Sequence, residues 1–161
     1  MAGFNVRSLE SGDRAWVRQF ISERWGGETI VVHGDVFCPH KLPGFVAVED
    51  GVRVGLLTYH LGDRGCEIIT LDSTQPGRGI GTALVEAVKK VVRQEGIKRV
   101  WVTTTNANVD ALRFYQKRGF VLVAVHRDAI KVSRKIKPEI PAVGENGIPI
   151  RDEIELEFRL E

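Results

Sequence analysis

Three glycines at alternate positions, in the run Gly77-Arg78-Gly79-Ile80-Gly81-Thr82, make this the segment of the chain best suited to hold a charged ligand. Without a Cβ, glycine lets backbone N–H groups approach a ligand that side chains would hold off. A turn of this kind opening a helix adds unpaired donors and the positive end of the helix dipole. That combination binds phosphate. The spacing is not G-x-G-x-x-G, and no Lys-Ser/Thr follows Gly81 as in a P-loop, so neither NAD nor ATP is the expected ligand. His33, Cys38 and His40 are metal-ligating types, yet no fourth partner stands at finger-like spacing and no metal site is expected.

A phosphate loop needs a strand before it and a helix after it, and the flanking residues supply both. Cys66 to Leu71 reads as an apolar strand, and Leu84, Ala87, Val88, Val91 and Val92 then repeat at helical spacing until Gly96 stops the helix. A buried strand from Arg99 to Thr104 follows, and strand, helix, strand in this order implies a parallel pair joined by a crossover helix. A second helix spans Val109 to Arg118, capped by Asn108 and closed by Gly119, before a strand from Phe120 to His126.

Upstream, a short apolar lead from Phe4 to Leu9 precedes a helix that Ser11 caps, with Trp16, Val17, Phe20, Ile21 and Trp25 on one face and Gly26-Gly27 at its end. Thr29 to His33 is one apolar stretch. Phe45 to Glu49 and Val52 to Tyr59 form a hairpin across Asp50-Gly51, and a turn at Gly62 to Gly65 makes the next strand antiparallel as well. Arg127 to Ile150 reads as a long excursion punctuated by Pro138, Pro141 and Pro149, a length that in compact domains is usually functional or disordered. The final alternating strand, Asp152 to Leu160, pairs either within the chain or across a dimer, so a monomer or a homodimer is expected. The elements predict a single α/β (α+β) domain over residues 1–161, with a mixed, mostly antiparallel sheet of about six to seven strands flanked by helices.

The run from Asn106 to Phe120, Asn-Ala-Asn-Val-Asp-Ala-Leu-Arg-Phe-Tyr-Gln-Lys-Arg-Gly-Phe, changes the reading of the glycine loop. Together the two segments resemble the paired cofactor motifs of the GNAT N-acetyltransferase superfamily, closely over about residues 66 to 126. One departure is Pro76, which has no backbone N–H and stands where the family loop usually carries Gln or Arg, with Gln75 one position earlier. Most of the loop's donors come from Arg78 to Thr82, so the loop is expected to keep its ligand, with the Arg78 side chain adding charge.

The resemblance implies an enzyme that moves an acetyl group from acetyl-CoA to a primary amine of a small molecule or peptide. It also implies roles. Gly77, Arg78, Gly79, Ile80, Gly81 and Thr82 would hold the CoA pyrophosphate; the backbone at Leu71 and the side chain of Asn108 would hold the pantetheine arm; Tyr115 would lie near the thioester sulfur. Tyr115, with a reference pKa of about 10, suits protonation of a leaving thiolate. Glu67, on the strand leading to the loop, is the expected general base, with Asp72 the weaker candidate. If Ile69 and Leu71 share the face of Glu67, that carboxylate is either open to a cleft or buried at a cost. The alternative is a non-catalytic acyl-CoA sensor of the same fold, against which the presence of both Tyr115 and Glu67 argues.

Composition narrows the partners. A net charge of +2 from 23 basic and 21 acidic residues forces no nucleic-acid or membrane partner, although Arg113 to Lys137 is locally basic. No leader-like segment opens the sequence and no apolar run reaches the ~18 residues of a membrane span, so a cytoplasmic protein is expected. Two cysteines, Cys38 and Cys66, are too few for a disulfide framework.

Overall fold

The computed structural model describes residues 3–161. Strand β1 (Asn5–Ser8) leads through a 3-10 turn (Ser11–Asp13) into helix α1 (Arg14–Trp25), followed by β2 (Ile30–Val32) and β3 (Asp35–Phe37). Then come β4 (Gly44–Glu49), β5 (Val52–Gly62), β6 (Gly65–Ser73), α2 (Ile80–Gln94), β7 (Arg99–Thr105), α3 (Val109–Lys117), β8 (Val121–His126), α4 (Ile130–Ile136) and β9 (Glu153–Arg159). Seven strands form one sheet in the order β1-β4-β5-β6-β7-β9-β8, while β2 and β3 make a separate pair. Only β6 and β7 pair in parallel, across the α2 crossover. The fold class matches the sequence expectation.

Helices cover both faces of the sheet. Leu84, Val85, Val88 and Val92 of α2 pack with Leu57, Cys66, Ile68, Val100 and Leu156, whereas Val17, Phe20 and Ile21 of α1 pack with Leu56 and Ile69 on the opposite face. Burial of these apolar stripes holds the layers together. Gly55 is what allows α2 to begin where it does, since a Cβ there would stand 2.5 Å from Ile80 Cγ2.

The register between β5 and β6 shifts between Thr58 and Tyr59. A bulge of this kind breaks the period-two alternation. Ile69 therefore packs on the α1 face and Leu71 on the α2 face, where simple alternation would have put them together.

Local reading missed in three places. Ser11 does not cap α1: the helix begins at Arg14 after the 3-10 turn. The Asp13 carboxylate is drawn instead to Arg7, Arg53 and the Glu10 amide, at 2.7–3.0 Å. The residue 127–150 excursion contains α4, and β3 was not anticipated; β9 takes the first of its two expected pairings, within the chain, where it lies between β7 and β8.

Asp13 is 1% exposed, and its two arginines hold its carboxyl well below the usual carboxylate range. A depressed folded-state value contributes stability that is complete above the unfolded value near ~3.9 and is lost as pH falls through the folded one. Asp13→Ala is expected to cost about 2–3 kcal/mol at neutral pH, the range for charge-assisted bonds whose arginine partners can rehydrate. Urea titration at pH 7 and at pH 3 measures both, and the difference between variant and parent should shrink at the lower pH.

Candidate active site

The glycine loop joins β6 to α2 and is fixed from two sides. Gly77 and Gly79 have φ of +82° and +81°, a backbone that side chains resist. Gly79 is the N-cap of α2 with no side-chain cap bond, and Ala83 N–H is the first in the helix with a backbone acceptor, Gly79 O at 3.0 Å. The N–H groups of Ile80, Gly81 and Thr82 thus have no acceptor among the described residues, which is the donor set an anionic group needs. Arg78 does not add charge to this cradle as expected. Its guanidinium forks onto Glu49 at 2.7 and 2.6 Å and also meets Gln75, tying the loop to the end of β4 and holding the Glu49 carboxyl below its usual range.

The cation that does face the cleft is one that sequence reading missed. Arg118 donates from Nε to Thr82 Oγ1 at 2.9 Å and stacks over the Phe114 ring at 3.9 Å. The basic stretch from Arg113 onward signalled such a residue, but only the tertiary approach of α3 to α2 selects which one. A cleft of about 480 Å³ runs from the loop along α3, lined by Leu71, Asp72, Gly79, Asn108, Tyr115 and Arg118 among others.

Leu71 and Asn108 sit where the sheet opens. β6 pairs with β7 only across Cys66–Ile68 and Val100–Val102, and beyond Ile68 the strands part. Leu71 therefore keeps its pairing to Leu57 on one side and has no strand on the other. Asn108 caps α3 through Oδ1, which accepts from Ala111 N–H at 3.1 Å. Tyr115 is 5% exposed, wedged edge-on between Phe114 and Phe120 at 5.2 and 5.1 Å. Burial, with a contribution from the Asp72 carboxylate, raises its hydroxyl well above the ordinary phenol range, so it remains a proton donor at neutral pH.

On the α1 side of the opening lies a second cavity of about 520 Å³, bounded by β2, the ends of β6 and β7, α4 and the turn at Ile140-Pro141. Asn108 lines both spaces. Arg134 shapes this wall by donating to the carbonyls of Pro141 and Ile150 at 2.7 and 2.9 Å.

Glu67 is not brought to Tyr115. It is 2% exposed, shares the α1 face with Ile69 but not with Leu71, and meets His33 Nε2 at 2.7 Å in a third cavity, of about 460 Å³, beside Arg64 and Trp101. The bulge accounts for this separation. Glu67 raises the pKa of His33 in turn. His33 also donates its backbone N–H to both Glu153 oxygens at 3.1 Å. Asp72 does reach the cleft, where it accepts from Trp25 Nε1 at 3.0 Å and burial raises its pKa.

Residues 14–120 match the family model described as Acetyltransferase (GNAT) family. The Bacillus subtilis (strain 168) protein YdhI is 44% identical over 136 residues, spanning 84% of this chain and 85% of its own. The chain belongs to the GNAT acetyltransferase family. YxbD of the same organism is 42% identical over 86% of this chain and 87% of its own. Among solved structures, the IAA acetyltransferase from Bacillus cereus ATCC 14579 superimposes with a TM-score of 0.71 at 22% identity, covering 98% of this chain and 99% of that one. A GNAT family acetyltransferase from Elizabethkingia anophelis, solved with acetyl-CoA bound, also gives 0.71, at 18% identity over 99% and 100%. At these identities the likeness is one of fold. The GNAT match ends at Phe120, before α4 and β9, so the part of the second cavity's wall from Ile130 to Glu153 lies outside the matched residues.

Proposed function

We propose that this GNAT protein is an N-acetyltransferase that moves the acetyl group of acetyl-CoA to a primary amine. The observation that carries this reading is the continuity of the site: a donor-rich glycine cradle opens into a cleft that passes the unpaired edge of Leu71 and meets the second cavity at Asn108. The residues fit the cofactor. Gly77 to Thr82 offer backbone N–H groups to the pyrophosphate and Arg118 offers a guanidinium beside them, while a Cβ at Gly77 or Gly79 would meet nothing within 4 Å, leaving open space above the loop. The parted edge of Leu71 and the Asn108 side chain would hold the pantetheine arm. Acetyl-CoA supplies the activated acyl group.

The protein's own part is proton handling and exclusion of water. Tyr115, buried and protonated, donates to the leaving sulfur, and an N–H at the open edge near Leu71 is available to a developing oxyanion. The amine's proton passes, through water, to the Glu67–His33 pair, which lines the third cavity and adjoins the second through the bond from the His33 backbone N–H to Glu153. The raised pKa of His33 suits it to accept a proton near neutrality.

The test is a melting experiment with acetyl-CoA, and with NAD and ATP as controls. At one hundred times Kd, binding to the folded state contributes about 2.7 kcal/mol, an expected rise of about 5–10 °C for a domain of this size. A rise with acetyl-CoA alone supports the reading, whereas an equal response to all three, or to none, sinks it. Acetyl-CoA binding without turnover of any amine would leave a sensor in place of an enzyme.

A further inference from the structure

Alternate residues of β9 put Glu153, Glu155 and Glu157 on one face of the sheet, with Ile154, Leu156 and Phe158 packed on the other. Two of the three glutamates are neutralised. Glu155 receives Arg99 at 2.5 Å, Arg64 at 3.3 Å and His126 at 3.1 Å, and Glu157 receives Arg99 at 2.5 Å and Arg159 at 3.1 Å. Glu153 is 3% exposed, yet its sole partner among the described residues is the His33 backbone N–H.

An isolated buried carboxylate is costly unless something of opposite charge meets it. Glu153 lines the second cavity, and both cations there are engaged elsewhere. Arg24 lies on Asp72 at 3.5 Å and on the Ser73 carbonyl at 3.0 Å. Lys137 donates to the Trp25 and Thr29 carbonyls at 3.2 and 2.8 Å, and burial lowers its pKa. The rest of the lining is chiefly aliphatic, including Ile30, Val32, Ile69, Ile130, Ile140 and Pro141, while the one other carboxylate there, Glu139, is exposed to solvent.

We infer that this cavity binds a cationic amine with an apolar alkyl or aryl body, its ammonium group received by Glu153 and its body by the isoleucine-rich wall. The inference rests on the acetyltransferase reading and deepens it, naming the acceptor class and a specificity-determining residue that lies beyond the family match. Acidic peptides and carboxylate-bearing acceptors are disfavoured by the same charge. A short amine without an apolar body leaves the wall unfilled and binds about fourfold more weakly for each methylene not buried.

The probe is n-hexylammonium, titrated calorimetrically into the full chain without acetyl-CoA, against 1-hexanol and ethylammonium. Hexylammonium should bind at least about tenfold more tightly than either, since one comparison removes the charge and the other the apolar body. Glu153→Gln, whose amide oxygen can still accept the His33 N–H, should abolish the preference for hexylammonium over hexanol. Equal binding of hexylammonium and hexanol by the parent protein, a preference that survives in the variant, or no binding of hexylammonium would each overturn the proposal. Should the variant fail to fold, the charge comparison on the parent protein decides alone. Melting of the same samples with acetyl-CoA reports separately whether the acetyltransferase reading stands.

Discussion

Tyr115→Phe is expected to lower kcat by about 10²–10⁴-fold, the usual weight of a positioned acid, with little change in acetyl-CoA affinity. The hydroxyl makes no hydrogen bond among the described residues, while the ring is held by Phe114 and Phe120, so the substitution removes a proton donor and leaves the packing intact. Stability should therefore stay within about 0.5 kcal/mol of the parent. Because burial raises the Tyr115 pKa, loss of its proton does not limit the rate near neutrality, and any alkaline limb there belongs to another group. Steady-state kinetics with saturating amine would measure the effect. A loss of less than about fivefold would remove Tyr115 from the chemistry and leave it a core residue of α3.

Glu67→Gln carries the second large effect, an expected fall in kcat of about 10²-fold or more together with a displaced pH profile. The proposed base works with His33 neutral, so the rate falls as pH drops through the His33 pKa. That value is raised above the ordinary one, chiefly by the bond to Glu67 and against the opposing effect of burial. Glutamine removes the carboxylate and leaves desolvation, so the acid limb should move to lower pH. The stability term has a matching sign: a raised histidine value stabilises the fold fully below its unfolded value, and that contribution is lost as pH rises through the folded one. Profiles of kcat against pH for the two proteins settle the assignment. An acid limb that stays in place would show that the base lies elsewhere, with Asp72, a carboxylate on the cleft wall whose pKa burial raises, the next candidate.

Much of the cofactor half was legible because its signals are local. Alternate glycines before an amphipathic stretch, an asparagine cap and a Gly-Phe ending determine backbone conformation within a few residues, and the structure puts Gly77, Gly79 to Thr82, Asn108 and Tyr115 around one cleft, with Arg78 turned away. What stayed hidden depends on distant neighbours. The bulge at Thr58/Tyr59 comes from pairing between strands, and it sends Leu71 and Glu67 to opposite faces. Arg78 turns to Glu49, 29 residues away, and Arg118 takes the place beside the cradle by reaching Thr82, 36 residues away. Asp13, not Ser11, stands at the start of α1, and its carboxylate is fixed by Arg7, by Arg53 40 residues away and by the Glu10 amide. The central position of β9 could not be read from its own pattern, since an alternating strand looks alike wherever in the sheet it lies.

The two cavities differ in what their walls support. The glycine-loop cleft is cut into the main core: Tyr115 and Ile80, both on its wall, are buried members of the cluster that binds α2 to the sheet. The second cavity also reaches buried core residues, Ile30, Ile68 and Ile69, but its remaining wall runs over the residue 130–150 segment, where Ile130 is buried and Ile140 and Ile150 are only partly so. Changes at Ile80 or Tyr115, and equally at Ile30, Ile68 or Ile69, must be met by the core as well as by whatever the cavity holds, whereas changes at Ile140 and Ile150 meet fewer packing constraints. If the second cavity takes the acceptor as proposed, its shape can be retuned in small steps along that half-buried edge while the core of the fold stands still.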